Sequence, residues 1–180
     1  SSDLVIGCCG AVLLGRLSDI VDYLLYVDKK TGLPNREKLN IYIGEMAGKV
    51  LPEAFTCFTL NLDNLSELTK RFGYTVGDGV LKDFAGLVQL MGDTEGMRGY
   101  NGVGRFVVFF EECSSKKAAA MIRILDNQVE EYNSLNPEYP IRYTAAWATT
   151  EETDTYEIRE LLRLSQKKWK QMESPSIQKK

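Results

Sequence analysis

Two runs of strand-forming residues, separated by a very short turn, imply an antiparallel hairpin in this chain. The segments MRGYN (97–101) and RFVVFFEE (105–112) flank a tip that reads NGVG. Aromatic and β-branched residues favour strands, and a short glycine-containing loop between two such runs favours a β-hairpin. The chain must therefore build a sheet, and Arg105 begins the second strand of the hairpin.

Helical and strand patterns alternate around this hairpin. The run AFTCFTLNL (54–62) predicts a strand that ends in polar residues, and two helices, 65–72 and one from 76, lead from it to the hairpin. A helix capped by Ser114 or Ser115, a strand (IRYTAAWATT) and a last helix (TDTYEIRELLRLSQKKWKQM) follow. This order predicts an α+β fold, an α/β sandwich in which helices cover a mixed central sheet.

The turn-rich segment DKKTGLPNRE (28–37) separates an N-terminal helix, residues 1–27, from the body of the chain. We expect the body to occupy residues 28–172 and a tail to follow at 173–180. The uncharged stretch 4–15 is shorter than the ~20 residues that a membrane-spanning helix needs. The apolar stripe that follows it has two interpretations, a helix packed on its own domain and a membrane-proximal or dimerising helix.

Composition excludes several kinds of function. The formal net charge is −3, which disfavours nucleic acid as a partner. The chain has no histidine, so histidine-based catalysis and metal binding are excluded. Its four cysteines lack metal-type spacing, which favours a reducing, cytoplasmic setting, either for a separate domain or for the cytoplasmic part of a membrane-anchored protein.

Three motifs in order, DKKTGLPNRE, LNLDNLSELTKRFGYTVGDGVLKDFA and the glycine-containing hairpin tip, resemble the GGDEF domain of bacterial diguanylate cyclases. The resemblance covers about residues 28–172. It implies a mixed sheet wrapped by helices, like the palm of nucleotide cyclases. It also implies a dimer that joins two GTP molecules into cyclic di-GMP with the help of divalent metals such as Mg²⁺.

Matched to the family, the metal-binding strand end falls on Asn61 and Asp63, so one carboxylate has become an amide. The guanine-binding asparagine and aspartate of the family fall on Thr69 and Asp78. We include Asn64, next to Asp63, among the candidate nucleotide-binding residues. Helix capping is the competing role for the two aspartates, Asp63 and Asp78.

The signature of the family falls on the hairpin tip, residues Gly102, Val103, Gly104, Arg105 and Phe106. The first glycine and the phenylalanine match, whereas arginine replaces the metal-binding glutamate. Counted with the lost strand aspartate, three units of negative charge are missing, which opposes Mg²⁺ binding. The arginine has two interpretations, a solvated side chain and a bidentate phosphate ligand that needs no metal.

The sequence therefore predicts a catalytically degenerate GGDEF domain that regulates cyclic di-GMP-type signalling. Its expected partners are GTP or another nucleotide, a second copy of the chain, and other signalling domains of a longer protein. Two alternatives remain open. One is an active diguanylate cyclase with an atypical Mg²⁺ site, and the other is a structural dimerisation domain without a ligand.

Overall fold

The computed structural model of the chain describes residues 2–92 and 95–173. Within them lie seven helices and four strands: α1 (Ser2–Tyr26), α2 (Arg36–Met46), β1 (Thr56–Leu62), α3 (Leu65–Phe72), α4 (Tyr74–Gln89), β2 (Gly96–Tyr100), β3 (Arg105–Phe110), α5 (Ser115–Leu135), β4 (Tyr143–Thr149), α6 (Thr150–Thr153) and α7 (Ile158–Glu173). The hairpin, the strand before it and the strand after it are all present where the sequence predicts them.

The four strands form one sheet in the order β2-β3-β1-β4. The α+β class is confirmed, but the prediction of a mixed sheet is wrong, because every neighbouring pair in the described sheet is antiparallel. Helical crossovers do make β1 parallel to β2 and β3 parallel to β4. Another strand lies between the members of each of these pairs, which is the arrangement of ferredoxin-like β-α-β-β-α-β folds.

The two faces of the sheet carry separate parts of the core. Phe58 and Leu60 of β1 belong to the larger cluster, which packs against α3, α4 and α5, whereas Cys57 belongs to a smaller cluster under α2 and α7. Successive side chains of a strand point to opposite faces, so a strand covered on both faces is apolar along its whole length. This explains why the β1 run lacks polar alternation until Asn61.

Local signals placed several helix starts correctly and some boundaries wrongly. Asn35 caps α2 and Ser114 caps α5, as their side chains accept hydrogen bonds from backbone N–H groups three residues later. The second helix ends at Met46, whereas the apolar positions that follow Asn35 predict a helix that continues to about residue 50. The last predicted helix is divided into α6 and α7, because Asp154 adopts a left-handed conformation at φ 49° that ends α6.

The N-terminal helix α1 extends away from the sheet. Its large aliphatic side chains from Val12 to Leu25, among them Leu14, Leu17 and Leu24, are at least half exposed. Among the described residues, no helix combines the length and apolar character that crossing a bilayer requires. Most of the predicted tail, residues 174–180, lies outside the described residues.

Candidate active-site cleft

The end of β1 and the start of β3 bring together Asn61 and Arg105, the two positions at which the family resemblance implies metal-binding carboxylates. Asn61 of β1 pairs in register with Arg105 of β3. The Asn61 side chain donates a hydrogen bond of 2.7 Å from Nδ2 to Oδ1 of Asp63, and Thr144 Oγ1 on β4 donates one of 2.5 Å to Oδ2 of the same carboxylate. Both oxygens of Asp63 therefore accept hydrogen bonds from neutral side chains of the sheet.

The residues at this sheet end do not fit a Mg²⁺ ion. Such an ion prefers several oxygen ligands, usually including carboxylates. Here the amide of Asn61 presents a donor to Asp63, and the side chain opposite is the cation Arg105. No group of three or more carboxylate, cysteine or histidine side chains suited to a metal occurs in the described part of the chain.

Arg105 lies against an aromatic ring. Its guanidinium carbon is 4.5 Å from the centre of the Trp169 ring on α7. Trp169 is buried, and Nε of Arg105 is buried without a hydrogen-bond partner among the described residues. Arg105 is therefore only partly solvated, and its ring contact differs from the free side chain of the solvated interpretation. A cation held on a ring face is oriented, and the donors of a guanidinium match oxygen acceptors such as those of a phosphate.

The hairpin tip keeps a tight backbone geometry. Gly102, Val103 and Gly104 all have positive φ angles, 84°, 53° and 75°. The amide of Gly104 donates to the hydroxyl of Tyr100 at 3.0 Å, and its carbonyl accepts from Leu62 N at 2.8 Å. Burial raises the pKa of the Tyr100 hydroxyl, which keeps it protonated. Glycine suits two of the three left-handed positions, whereas a β-branched valine is strained there.

The last signature residue, Phe106, is part of the core. It is fully buried and contacts the rings of Phe84 and Tyr100 at centroid distances of 5.3 and 5.1 Å. Its position in the motif is therefore a packing position. It anchors the start of β3, so that the preceding arginine is directed toward the cleft side of the sheet end.

A cleft of about 460 Å³ opens between the hairpin tip and α3. Its size falls within the range of small-molecule sites. It brings together four of the candidate residues of the sequence, Asn61, Asp63, Thr69 and Arg105, with several residues that sequence patterns did not single out. The lining consists of Asn61, Leu62, Asp63, Leu65, Ser66, Thr69, Lys70, Tyr74, Val103, Arg105 and Glu173.

Two candidate residues do not line this cleft. The amide of Asn64 is buried and bonds the backbone of the loop before β4, through Pro140 O at 2.7 Å and Arg142 N at 3.1 Å. Asp78 forms an ion pair of 3.1 Å with Lys30, which raises the pKa of that lysine. Asn64 is thus a structural residue of the loop, and Asp78 is already paired with a cation.

Neither aspartate caps a helix. Asn64, not Asp63, is the residue that precedes α3, and its side chain makes no capping bond. Asp78 lies in the second turn of α4, because this helix begins at Tyr74, two residues before the predicted start at 76. Both capping interpretations are therefore wrong, and the Asp63 carboxylate is available to the sheet-end network described above.

Sequence patterns missed three residues of this site, Trp169, Thr144 and Tyr100. Sequence patterns indicate only a packing role for Trp169, which is buried on α7. Its contact with Arg105 depends on where α7 crosses the sheet, and no local signal reports that. Thr144 could have been found from the register of β4 against β1, in which it pairs with Asn61.

The profile of the family described as "Diguanylate cyclase, GGDEF domain" matches residues 25–174. No curated protein sequence matches the chain significantly. Among solved structures, a diguanylate cyclase/phosphodiesterase from Caldicellulosiruptor saccharolyticus is 19% identical with a TM-score of 0.64, and the match covers 84% of this chain and 91% of that one.

Two further structures share the fold. The coiled coil and GGDEF domain of DgcB from Caulobacter crescentus, solved with c-di-GMP, is 16% identical with a TM-score of 0.63, and the match covers 82% of this chain and 81% of that one. The S helix-GGDEF-EAL structure of Vibrio cholerae LapD, bound to c-di-GMP, is 13% identical with a TM-score of 0.61. That match covers 76% of this chain but only 32% of the S helix-GGDEF-EAL chain, so this chain spans about a third of the length of that structure. The family match over most of the chain, together with the shared fold, shows that this protein belongs to the GGDEF domain family.

Proposed function

We propose that this chain is a regulatory GGDEF domain that binds a guanine nucleotide through its phosphates, without Mg²⁺, and that makes no cyclic di-GMP. The observation that carries the proposal is the position of Arg105. Its guanidinium stands where the family signature has a metal-binding glutamate, faces Asn61 across the β1–β3 pair, and is held on the ring of Trp169.

The cations of the cleft support phosphate binding, and they are balanced in the lining by two carboxylates, Asp63 and Glu173. A phosphate group carries acceptor oxygens that match the donors of a guanidinium, and Lys70 on α3 adds a second cation to the lining. The Asp63 carboxylate accepts two hydrogen bonds already. Cyclase chemistry needs divalent cations to offset the charge that develops on the phosphate. With Asn61 and Arg105 at the ligand positions, we expect that step to fail.

The test is calorimetric titration of GTP into the purified chain, once with Mg²⁺ and once with EDTA, while the same samples are assayed for cyclic di-GMP. We expect binding in both conditions and no product. The variant Arg105→Ala should lower the affinity at least tenfold, since one charge-assisted hydrogen bond contributes about 1.5–3 kcal/mol. Arg123→Ala is the matched control, because Arg123 is an exposed arginine of α5 outside the cleft.

Each other result supports a different function. Binding that requires Mg²⁺, with cyclic di-GMP as product, would establish the alternative of an active cyclase with an atypical metal site. The absence of binding in both conditions would leave the alternative of a structural dimerisation domain. Equal loss of affinity in Arg105→Ala and Arg123→Ala would contradict the role that we assign to Arg105.

We further propose that α1 pairs with the α1 of a second copy. Leu13, Leu17, Ile20 and Leu24 follow a helical spacing and are each at least 50% exposed, which is an unusual cost for a helix without a partner. Light scattering should report a dimer, and the double variant Leu17→Lys with Leu24→Lys should be a monomer. A monomeric parent chain would contradict this proposal. We also propose that the domain belongs to a longer signalling protein and lies in the cytoplasm, where GTP is available.

A further inference from the structure

We infer that the position of α1 controls how firmly the hairpin tip, and with it Arg105, is held, through the adjacent residues Asn35 and Arg36. The inference concerns a mechanical connection within one chain. Its consequence for nucleotide binding rests on the function proposed above, but the connection itself does not.

The first half of the connection joins Asn35 to the end of α1. Its side-chain amide donates a hydrogen bond of 2.8 Å to Leu25 O, and its backbone amide donates one of 2.9 Å to Tyr26 O. Both acceptors lie in the last turn of α1. The loop is closed on itself by the backbone bridge between Val27 and Pro34, so the end of α1 and the start of α2 form one unit.

The second half joins the next residue to the hairpin. Arg36 donates from Nη2 to the carbonyl of Asn101 at 2.6 Å and from Nε to the Asn101 side chain at 3.2 Å. The backbone amide of Tyr100 donates to Pro34 O at 2.8 Å. The loop therefore extends the backbone pairing of the hairpin and holds its last residue before the tip with a charged two-point contact.

The held residue determines the geometry of the tip. Asn101 N donates to Arg105 O at 2.7 Å, and Arg105 N donates to Gly102 O at 3.0 Å. Asn101, the residue that Arg36 binds, is therefore part of the hydrogen bonding that closes the tip. Described α1 side chains from residue 11 to Leu25 are all exposed. Because the described hydrogen bonds between α1 and the domain lie in the last turn of the helix, a displacement of α1 acts first on the loop that follows it. Movement of α1 thus loosens or tightens the Asn101 contact.

The experiment measures amide hydrogen exchange of Asn101, Gly104 and Arg105 in the full chain, without nucleotide. Leu24→Pro disrupts the last turns of α1 at an exposed position, because proline lacks the N–H group and clashes with the preceding turn. Leu24→Ala is the matched control, which removes the side chain and keeps the helix. Leu24→Pro and Leu24→Ala are each also combined with Arg36→Ala. The exchange of β1 amides serves as the measure of global unfolding.

We expect Leu24→Pro to speed exchange at the tip about tenfold relative to Leu24→Ala, the effect of losing a charged hydrogen bond. Arg36→Ala alone should do the same, and Leu24→Pro should add nothing to it. Equal tip exchange in Leu24→Pro and Leu24→Ala would overturn the inference. An undiminished effect in the Arg36→Ala background would overturn the assigned route.

Two further choices keep the result decisive. If Leu24→Pro also raises the exchange rate in β1, the milder variant Leu24→Gly replaces it. We expect Leu24→Gly to raise the exchange rate at the tip and to leave the rate in β1 unchanged. Because no nucleotide is present, failure of the GTP titration and failure of this connection are separate results.

Discussion

The guanidinium of Arg105 lies 4.5 Å from the centre of the Trp169 ring, which joins the signature hairpin to the last helix. The register of β3 places the same arginine opposite Asn61. The cation is thus positioned by the ring of Trp169 and by the pairing of β3 with β1.

Removal of the Arg105 side chain should destabilise the fold without any ligand. We expect Arg105→Ala to lower the free energy of unfolding by about 1 kcal/mol, the usual size of a partly desolvated cation–π contact. Arg105→Lys should cost less, since it keeps the charge but not the planar stack. Urea denaturation at pH 7 measures both. A loss as small as that in the exposed control Arg123→Ala would show that the stack contributes nothing to stability.

A carboxylate introduced at position 61 should produce a response to Mg²⁺ only when Arg105 is replaced as well. Asn61→Asp replaces the amide that donates to Asp63 with a second acidic group, so we expect a loss of about 1–2 kcal/mol in EDTA. Mg²⁺ should not raise the melting temperature of this variant while Arg105 is present. It should do so once Arg105→Glu is added.

Thermal melts with and without Mg²⁺ test this pair of expectations. Asn40→Asp, at an exposed position of α2, is the control for the added charge. Stabilisation of the unmodified chain by Mg²⁺ would contradict our conclusion that its residues do not fit the ion.

Two glycines of α4 should respond in opposite directions to alanine. A Cβ at Gly77 would lie 2.3 Å from Oγ1 of Thr69, whereas a Cβ at Gly79 would meet nothing within 4 Å. Gly77→Ala should therefore cost about 1–3 kcal/mol through overpacking against α3. Gly79→Ala should stabilise by up to about 1 kcal/mol through helix propensity. Stability changes of the same sign would show that α3 and α4 are less closely packed at this point.

The strained tip residue offers a stabilising change. Val103 is 88% exposed and adopts a φ of 53°, so its side chain gains little from packing while its backbone is unfavourable. Val103→Gly should stabilise the fold by about 0.5–1 kcal/mol, because relief of strain exceeds the added entropy of the unfolded chain. Val50→Gly is the control, because Val50 is 84% exposed but does not have a positive φ angle. This variant should destabilise the fold.

Stability should fall at alkaline pH in part because of Tyr42. Burial raises its pKa from 10.0 to about 12, so above pH 10 the unfolded chain loses a proton that the folded chain keeps. The folded state then binds more protons, and stability declines from about pH 10 until pH 12, by at most about 1.4 kcal/mol per pH unit for one group. Tyr42→Phe should make this decline shallower relative to its own stability at pH 7. An unchanged slope in denaturation curves from pH 9 to 11 would contradict the assignment.

Some parts of this protein could be deduced from local sequence. Element order and the hairpin tip follow from periodicity, glycine placement and capping residues, which act over only a few neighbouring residues. The caps at Asn35 and Ser114 are examples, and so is the family membership, because its motifs are short contiguous segments. The same local signals failed at Asp154, where a left-handed residue divides a pattern that otherwise continues as one helix.

The sequence alone determined the α+β class, the place of the signature tip and the presence of Asn61 and Arg105 at positions where the family resemblance implies metal-binding carboxylates. Tertiary structure alone decided that every neighbouring strand pair described is antiparallel, that Arg105 stacks on Trp169, and that Asp78 pairs with Lys30, a residue 48 positions away. The physical reason is the distance along the sequence over which each kind of interaction acts. Propensity and periodicity depend on nearby residues, whereas a contact between distant side chains exists only after burial of the shared core has positioned the strands and helices that carry them.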